Sequence, residues 1–281
     1  MRTSDAFEEL VTCAKFGDGT PFFFCHGDYT TGGLYALRLV EMLKCDQPVF
    51  LLNSYLDPDP KFSIEEMARC YLPHLLAAQP AGAFPLGGFC NGGLLAWELA
   101  HQLESLGRRV EFIVLIDVRS LNARLTIRII ASLTRLIARV APKKIGEKLK
   151  LHVMRAIWNR LGQVSYYGPY LRAMSNYLPP KLRSNVVIVL SEEYRVMKKL
   201  PRVRVLSFSP THPTPWNRLA PKVHCRYVAG THHGAITTHA RELALLLDGL
   251  LFHGAPQLDQ LESKVDGALR RYASDPAVDP E

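Results

Sequence analysis

The sequence predicts an α/β protein with a mostly parallel sheet flanked by helices, on three observations. Short continuous apolar runs recur at residues 21–25 (PFFFC), 48–52 (PVFLL), 109–116 (RVEFIVLI) and 185–190 (NVVIVL). Runs of that length and composition suit strands buried on both faces of a sheet. Segments with helical apolar spacing separate them, giving the strand, helix, strand, helix beat of an α/β chain. The third observation is Gly88-Phe89-Cys90-Asn91-Gly92, a G-x-C-x-G turn between an apolar strand and a helical pattern.

Taken in order, the chain starts polar and enters its first strand at residues 21–25, which ends in His26-Gly27-Asp28. Gly32 and Gly33 open a helix whose apolar residues include Leu34, Leu37, Leu39, Val40 and Leu43. Residues 48–52 are the second strand, and a Pro-rich turn follows at 57–60. Ser63 with Glu66 three residues on makes a capping box for a helix running to about Ala78. Residues 84–89 lead into the glycine turn and 92–106 lead out of it as a helix, with Gly107 as its C-cap. Residues 109–116 then deliver Asp117 at a strand's carboxyl end.

From 118 to 184 the pattern changes to two long amphipathic helices broken at Pro142, then an aromatic segment with Tyr166, Tyr167, Tyr170 and Tyr177. Strands resume at 185–190 and 223–228, and the second runs into the Gly-bracketed loop 229–234. A helix over 241–251 closes the core. The expected organisation is one core from 1–117 and 185–255, a helical lid at 118–184, and a tail or peripheral helix at 256–281.

At 281 residues, 48% hydrophobic and 21% charged, the chain is sized for one substantial core. Its amino terminus lacks an apolar run and no stretch of about eighteen apolar residues occurs, so the expectation is a soluble cytoplasmic protein. Six cysteines, at 13, 25, 45, 70, 90 and 225, form no C-x-x-C pair, so neither a disulfide framework nor a metal site is suggested. The net charge of +8 is unevenly placed: residues 118–184 hold fourteen Lys and Arg against the single acid Glu147, which leaves the rest of the chain net acidic.

The G-x-C-x-G turn reads as a nucleophile elbow, in which one strained residue stands exposed between strand and helix. Gly88 and Gly92 occupy the crossing, where a side chain would clash, and Gly93 lets the helix approach the sheet. A thiol attacks as thiolate and needs a base, commonly a histidine oriented by a carboxylate. The chain supplies Cys90, Asp117 and His232 in the nucleophile, acid, histidine order of α/β hydrolases, each just after a strand. Parallel sheets gather such strand ends on one rim. Of the adjacent pair His232 and His233, the first is preferred because it falls second after the Gly230 turn. The oxyanion hole is assigned to the backbone N–H of Asn91 and one from the 26–28 loop, at Asp28, with the His26 side chain either lining the site or structural.

The runs PFFFCHGDYTTGG, GGFCNGGLLAWELAHQLESLGRRVEFIVLID and YVAGTHHGAI resemble the thioesterase family of nonribosomal peptide and polyketide synthases. The resemblance rests on the helix Gly92-Gly93-Leu94-Leu95-Ala96-Trp97-Glu98-Leu99-Ala100, on an acid directly after the next strand, and on a helical insertion behind that acid. It implies an α/β-hydrolase fold and transfer of an acyl or peptidyl chain from the phosphopantetheine thiol of a carrier protein to the nucleophile, with no bound cofactor. Release would follow to water, an amine or a hydroxyl. Two departures stand out: members mostly carry serine where this chain has Cys90, and Asp28 lies where small or apolar residues are usual.

In the first lid helix Leu125, Ile129, Leu133, Leu136, Ile137 and Val140 repeat at helical spacing, with Arg124, Arg128, Arg135 and Arg139 on another face. One account is a helix packed on the core with a solvated basic side; another is a docking face for an acidic carrier protein. Membrane association is the lesser expectation and nucleic acid the least. Tyr166, Tyr167 and Tyr170 are candidates for lining an acyl pocket. The alternatives to a thioesterase are a small-molecule hydrolase of dienelactone-hydrolase type and a silent scaffold for carrier docking or membrane association.

Overall fold

The computed structural model describes residues 10–27, 33–53, 63–118, 177–193 and 216–253, with positions 129, 133, 136, 137, 140, 146, 148, 173 and 174 between 118 and 177. Its strands are β1 (Val11–Lys15), β2 (Phe22–Cys25), β3 (Val49–Leu52), β4 (Phe84–Phe89), β5 (Val110–Ile116), β6 (Asn185–Ser191) and β7 (Val223–Val228). Among the described residues, the α-helices with defined bounds beside them are α1 (Leu34–Met42), α2 (Ile64–Ala78), α3 (Gly92–Ser105) and α4 (Ala240–His253). The strands form one sheet in the order β1-β3-β2-β4-β5-β6-β7. All neighbours are parallel except β1, which pairs antiparallel with β3.

Two apolar clusters coat the sheet. On one face α2 and α3 pack through Met67, Tyr71, Leu75, Leu95, Leu99 and Leu103. On the other, α1 and α4 pack through Ala36, Leu39, Leu243 and Leu247. Alternate residues of each strand feed alternate clusters: Ile113 and Leu115 enter the first, Phe112, Val114 and Ile116 the second. This is why the central strands read as unbroken apolar runs. The mostly parallel sheet between two helical layers is an α/β-hydrolase fold.

The predicted signals act as expected at several places. The Ser63 hydroxyl accepts from the Glu66 N–H at 3.1 Å at the start of α2. Gly107, at φ +74°, ends α3 with Arg108 N–H donating to the Leu103 carbonyl at 2.9 Å, a Schellman closure. Three expectations are corrected. The start of the chain is not merely polar, since Val11–Lys15 forms the edge strand β1. Leu34 and Leu37 are 67% and 40% exposed, so α1 packs through Ala36, Leu39 and Val40 instead.

The third concerns the first lid helix. Positions 129, 133, 136, 137 and 140 are helical, but all five side chains are exposed, which contradicts the account of this face as packed on the core. Arg124, Arg128, Arg135 and Arg139, the helix break at Pro142, Tyr166, Tyr167, Tyr170 and the tail lie outside the described residues.

The described segment leading into β6 is anchored on α3. Tyr177 is buried and donates its hydroxyl to Glu98 at 3.0 Å, so this member of the aromatic segment belongs to the core. Trp97 Nε1 donates to the Pro180 carbonyl at 3.0 Å, and the ring lies 4.7 Å from that of Trp216. Buried Glu104 accepts from the backbone N–H groups of Arg183 and Ser184, each at 2.9 Å at closest.

Candidate active site

The elbow is built by close backbone approach. Cys90 has φ 51°, in the left-handed region, and its N–H donates to the Ile116 carbonyl at 2.9 Å. The turn is tight because its glycines have no room for a side chain. A Cβ on Gly88 would lie 2.6 Å from the Gly92 carbonyl, and one on Gly92 would lie 2.1 Å from the Cys25 carbonyl oxygen. A Cβ on Gly93 would fall 2.0 Å from Val118, so α3 lies directly against the chain beyond β5. Cys90 is left half-buried at the carboxyl end of β4.

Asp117 follows β5 with φ 47°, and its N–H donates to the Val189 carbonyl at 2.8 Å. Its carboxylate is fully buried. Oδ1 accepts from the Ser191 N–H at 2.7 Å, and Oδ2 lies 3.3 Å from Nδ1 of His232. His232 is also hydrogen-bonded to the Cys90 side chain, and its ring stacks on Phe89 at 4.9 Å and 19°. One imidazole thus connects the thiol of β4 to the carboxylate of β5. Nδ1 faces the carboxylate and leaves Nε2 for sulfur.

Burial opposes a charged imidazole, but the hydrogen bonds to Asp117 and Cys90, with the negative charge of both partners, outweigh it. They hold the His232 pKa up at about 9, against 6.5 ordinarily. The site thus favours a protonated imidazole beside the elbow sulfur. Cys25 is the opposite case, since full burial pushes its thiol far up.

The other predicted residues are placed less uniformly. His233 is exposed and meets the His232 ring edge-on at 5.1 Å, so the preferred histidine of the pair is the one on Asp117. His26 is 1% exposed, with its ring against Gly33 and edge-on to Tyr35, whose hydroxyl donates to the His26 carbonyl. Asn91 is buried at the start of α3, and among the described residues its N–H meets no acceptor. A Cβ on Gly27 would lie 3.2 Å from that nitrogen, which puts the 26–27 backbone beside it; Asp28 lies outside the described residues. Among the described residues no group of three or more His, Cys, Asp and Glu could hold a metal ion, and no helix is long and apolar enough to cross a membrane.

Sequence reasoning missed the groups that hold these three in place. Ser191 ends β6 and Glu193 follows it, and Glu193 accepts from the His232 N–H at 3.1 Å. Glu242, in the first turn of α4, accepts from the Ala229 N–H at 3.0 Å at the other end of the histidine loop. The acidic pair Glu192-Glu193 directly after an apolar strand was the available signal.

Residues 46–124, which include the elbow and Asp117, match the family model described as a thioesterase domain. Among curated proteins, atromentin synthetase of Tapinella panuoides is 28% identical over 119 residues, 41% of this chain and 12% of that protein. Polyketide synthase PksR of Bacillus subtilis (strain 168) is 32% identical over 114 residues, 40% of this chain and 4% of that protein. The matches thus span a small fraction of much longer relatives.

Among solved structures, the thioesterase domain of NocB, in covalent complex with a fluorophosphonate nocardicin G analogue, aligns with a TM-score of 0.52 and 21% identity. That alignment covers 84% of this chain and 97% of the domain. The Vlm2 thioesterase domain aligns with a TM-score of 0.51 and 20% identity, over 85% of this chain and 96% of that one. A four-domain nonribosomal peptide synthetase aligns with a TM-score of 0.58 and 19% identity, over 85% of this chain and 20% of that one. These likenesses concern the fold. With a thioesterase-domain match over residues 46–124 and an α/β-hydrolase fold among the described residues, the chain resembles the thioesterase family of nonribosomal peptide and polyketide synthases, with cysteine at the elbow.

Proposed function

We propose that this chain is a thioesterase or acyltransferase that takes an acyl or peptidyl chain from the phosphopantetheine thioester of a carrier protein onto Cys90. The observation that carries the reading is the single imidazole, His232, bonded both to the elbow thiol and to buried Asp117. The Cys90 thiolate adds to the thioester carbonyl, and the oxyanion is held by the backbone N–H of Asn91 and one from the 26–28 loop at Asp28. As the intermediate collapses, the C–S bond to pantetheine breaks and the imidazolium of His232 protonates the leaving thiolate. His232 then removes a proton from water, an amine or a hydroxyl as that acceptor attacks the Cys90 thioester, and the thiolate is restored.

Exchange between two thiols is nearly isoenergetic, so the enzyme-bound acyl group stays activated and can be transferred or cyclised as well as hydrolysed. The basic insertion, residues 118–184, would serve as a lid, its arginines meeting the acidic carrier and Tyr166, Tyr167 and Tyr170 lining the acyl path. The substrate brings its own pantetheine arm, and the chemistry requires no resident cofactor or metal.

Intact-protein mass after brief exposure to acyl and aminoacyl pantetheine thioesters, free and on a carrier protein, tests the reading. The expected result is an acyl adduct on the parent chain that Cys90→Ala lacks. Adducts formed equally by Cys90→Ala, or no adduct and no turnover with any donor, would sink it and favour a lactone hydrolase or a docking scaffold.

A further inference from the structure

We propose that Glu193 is a positioning residue for His232, a role that rests on reading Cys90 and His232 as nucleophile and base. The histidine loop leaves β7 through Gly230, whose φ is +88° and where a Cβ would come within 2.6 Å of the His239 ring. Beyond it the backbone turns back on itself, with Ala235 N–H donating to the Thr231 carbonyl at 2.8 Å and Gly234 N–H to the Thr231 hydroxyl at 3.2 Å. Those bonds shape the turn without fixing it to the sheet.

Glu193 makes that connection twice. Its own N–H donates to the Gly230 carbonyl at 3.3 Å, and its carboxylate accepts from the His232 N–H at 3.1 Å. The second is a charge-assisted bond between a half-buried carboxylate and the backbone of the base itself.

The leverage comes from the next bond along. His232 Nδ1 and Asp117 Oδ2 are 3.3 Å apart, already at the long end for an N–H···O bond, so a drift of a few tenths of an ångström in the His232 backbone would lose it. The same strand end holds the other partner, through the 2.7 Å bond from Ser191 N–H to Asp117 Oδ1. Three consecutive residues, Ser191 to Glu193, therefore set acid and base in register with each other. Glu193 touches neither the reacting atoms nor the imidazole ring. It acts by fixing where that ring stands.

The test compares Glu193→Ala, Glu193→Gln and Glu193→Asp in the full chain with the parent, by three measurements: the His232 ring titration by NMR, the rate of Cys90 alkylation by iodoacetamide, and Cys90 acylation by a pantetheine thioester. Alanine removes the acceptor, and aspartate keeps the charge but is one methylene too short. Both are expected to move the His232 midpoint from about 9 toward that of free histidine. Both should slow alkylation and acylation about 10-fold or more, with the KM for the small donor unchanged. Glutamine keeps an amide oxygen at the same reach and should stay within about 3-fold of the parent.

Parent-like titration and rates in the aspartate variant, or a glutamine variant as impaired as alanine, would overturn the proposal; aspartate and glutamine decide it even where alanine fails to fold. Alkylation and titration need no acyl donor. If no thioester acylates the parent, the proposed reaction fails while Glu193 is still judged by those two measurements.

Discussion

Among the described residues, two that are not glycine adopt positive φ, and they are Cys90 and Asp117. Holding a side chain there costs on the order of 1 to 2 kcal/mol each, a strain that recurs where a fold must present a reactive group at a fixed angle. His232 shows the return on that placement, because burial would lower its pKa and the interactions with Asp117 and Cys90 more than offset it. A pKa raised from 6.5 to about 9 means the imidazolium is favoured in the folded chain. It contributes on the order of 3 kcal/mol of stability, fully present below about pH 6.5 and lost as pH rises through 9. The melting temperature should fall between about pH 7 and 10, and less so in Cys90→Ala, which removes one of the two partners. In the same window the rate of Cys90 acylation should decline with a midpoint near 9, as the imidazolium that protonates the leaving thiol disappears. An acylation profile flat across that window would contradict an imidazolium that persists to about pH 9.

At the scale of elements, the glycines divide by what surrounds them. At Gly92 the Cβ of an alanine would lie 2.1 Å from the Cys25 carbonyl oxygen and 2.8 Å from the Gly27 nitrogen, both backbone atoms of a central strand and its loop. Neither can yield without moving β2, so Gly92→Ala should cost about 3 kcal/mol or more and abolish Cys90 reactivity. Gly107 has nothing within 4 Å of the same position and is constrained only by its φ of +74°. Gly107→Ala should cost about 1 kcal/mol and leave acylation untouched. Urea denaturation with acylation rates on both variants checks the contrast; equal losses would mean that the elbow has slack it does not show.

For the whole molecule, the sheet rim and residues 118–184 carry different properties. The rim assembles Cys90, Asp117 and His232 from the ends of β4, β5 and β7, while fourteen of the chain's cations fall in residues 118–184. If that charge steers an acidic carrier, turnover of a carrier-borne thioester should fall steeply with ionic strength and turnover of a free pantetheine thioester should not. Reversing two charges, Arg135→Glu with Arg139→Glu, should raise KM about 10-fold for the first donor alone. An equal rise for both donors would place these arginines at the substrate path rather than at a docking face. The exposure of Ile129, Leu133, Leu136, Ile137 and Val140 shows that a helical apolar period identifies residues sharing a side and not what that side meets.

Local chemistry explains what was legible in advance. Buried strands between helices, the capping box at Ser63, the Gly107 stop and the elbow around Cys90 are all set by residues close in sequence, and their order places Asp117 and His232 after strands. β1 was missed because a five-residue, half-exposed edge strand has a pattern too short and too mixed to separate from a polar start. Tertiary structure alone decided which carboxylate supports the histidine loop and which hydroxyl packs into the core against α3. Tyr177 lies 79 positions from Glu98, and Glu193 lies 39 from His232, separations that no local period encodes. Sequence by itself determined the sheet, the elbow and the types of reactive group in their order along the chain. The tertiary fold determined their mutual distances, the raised pKa of His232 and the supports behind it, because hydrogen bonds and burial depend on where strand ends meet in space.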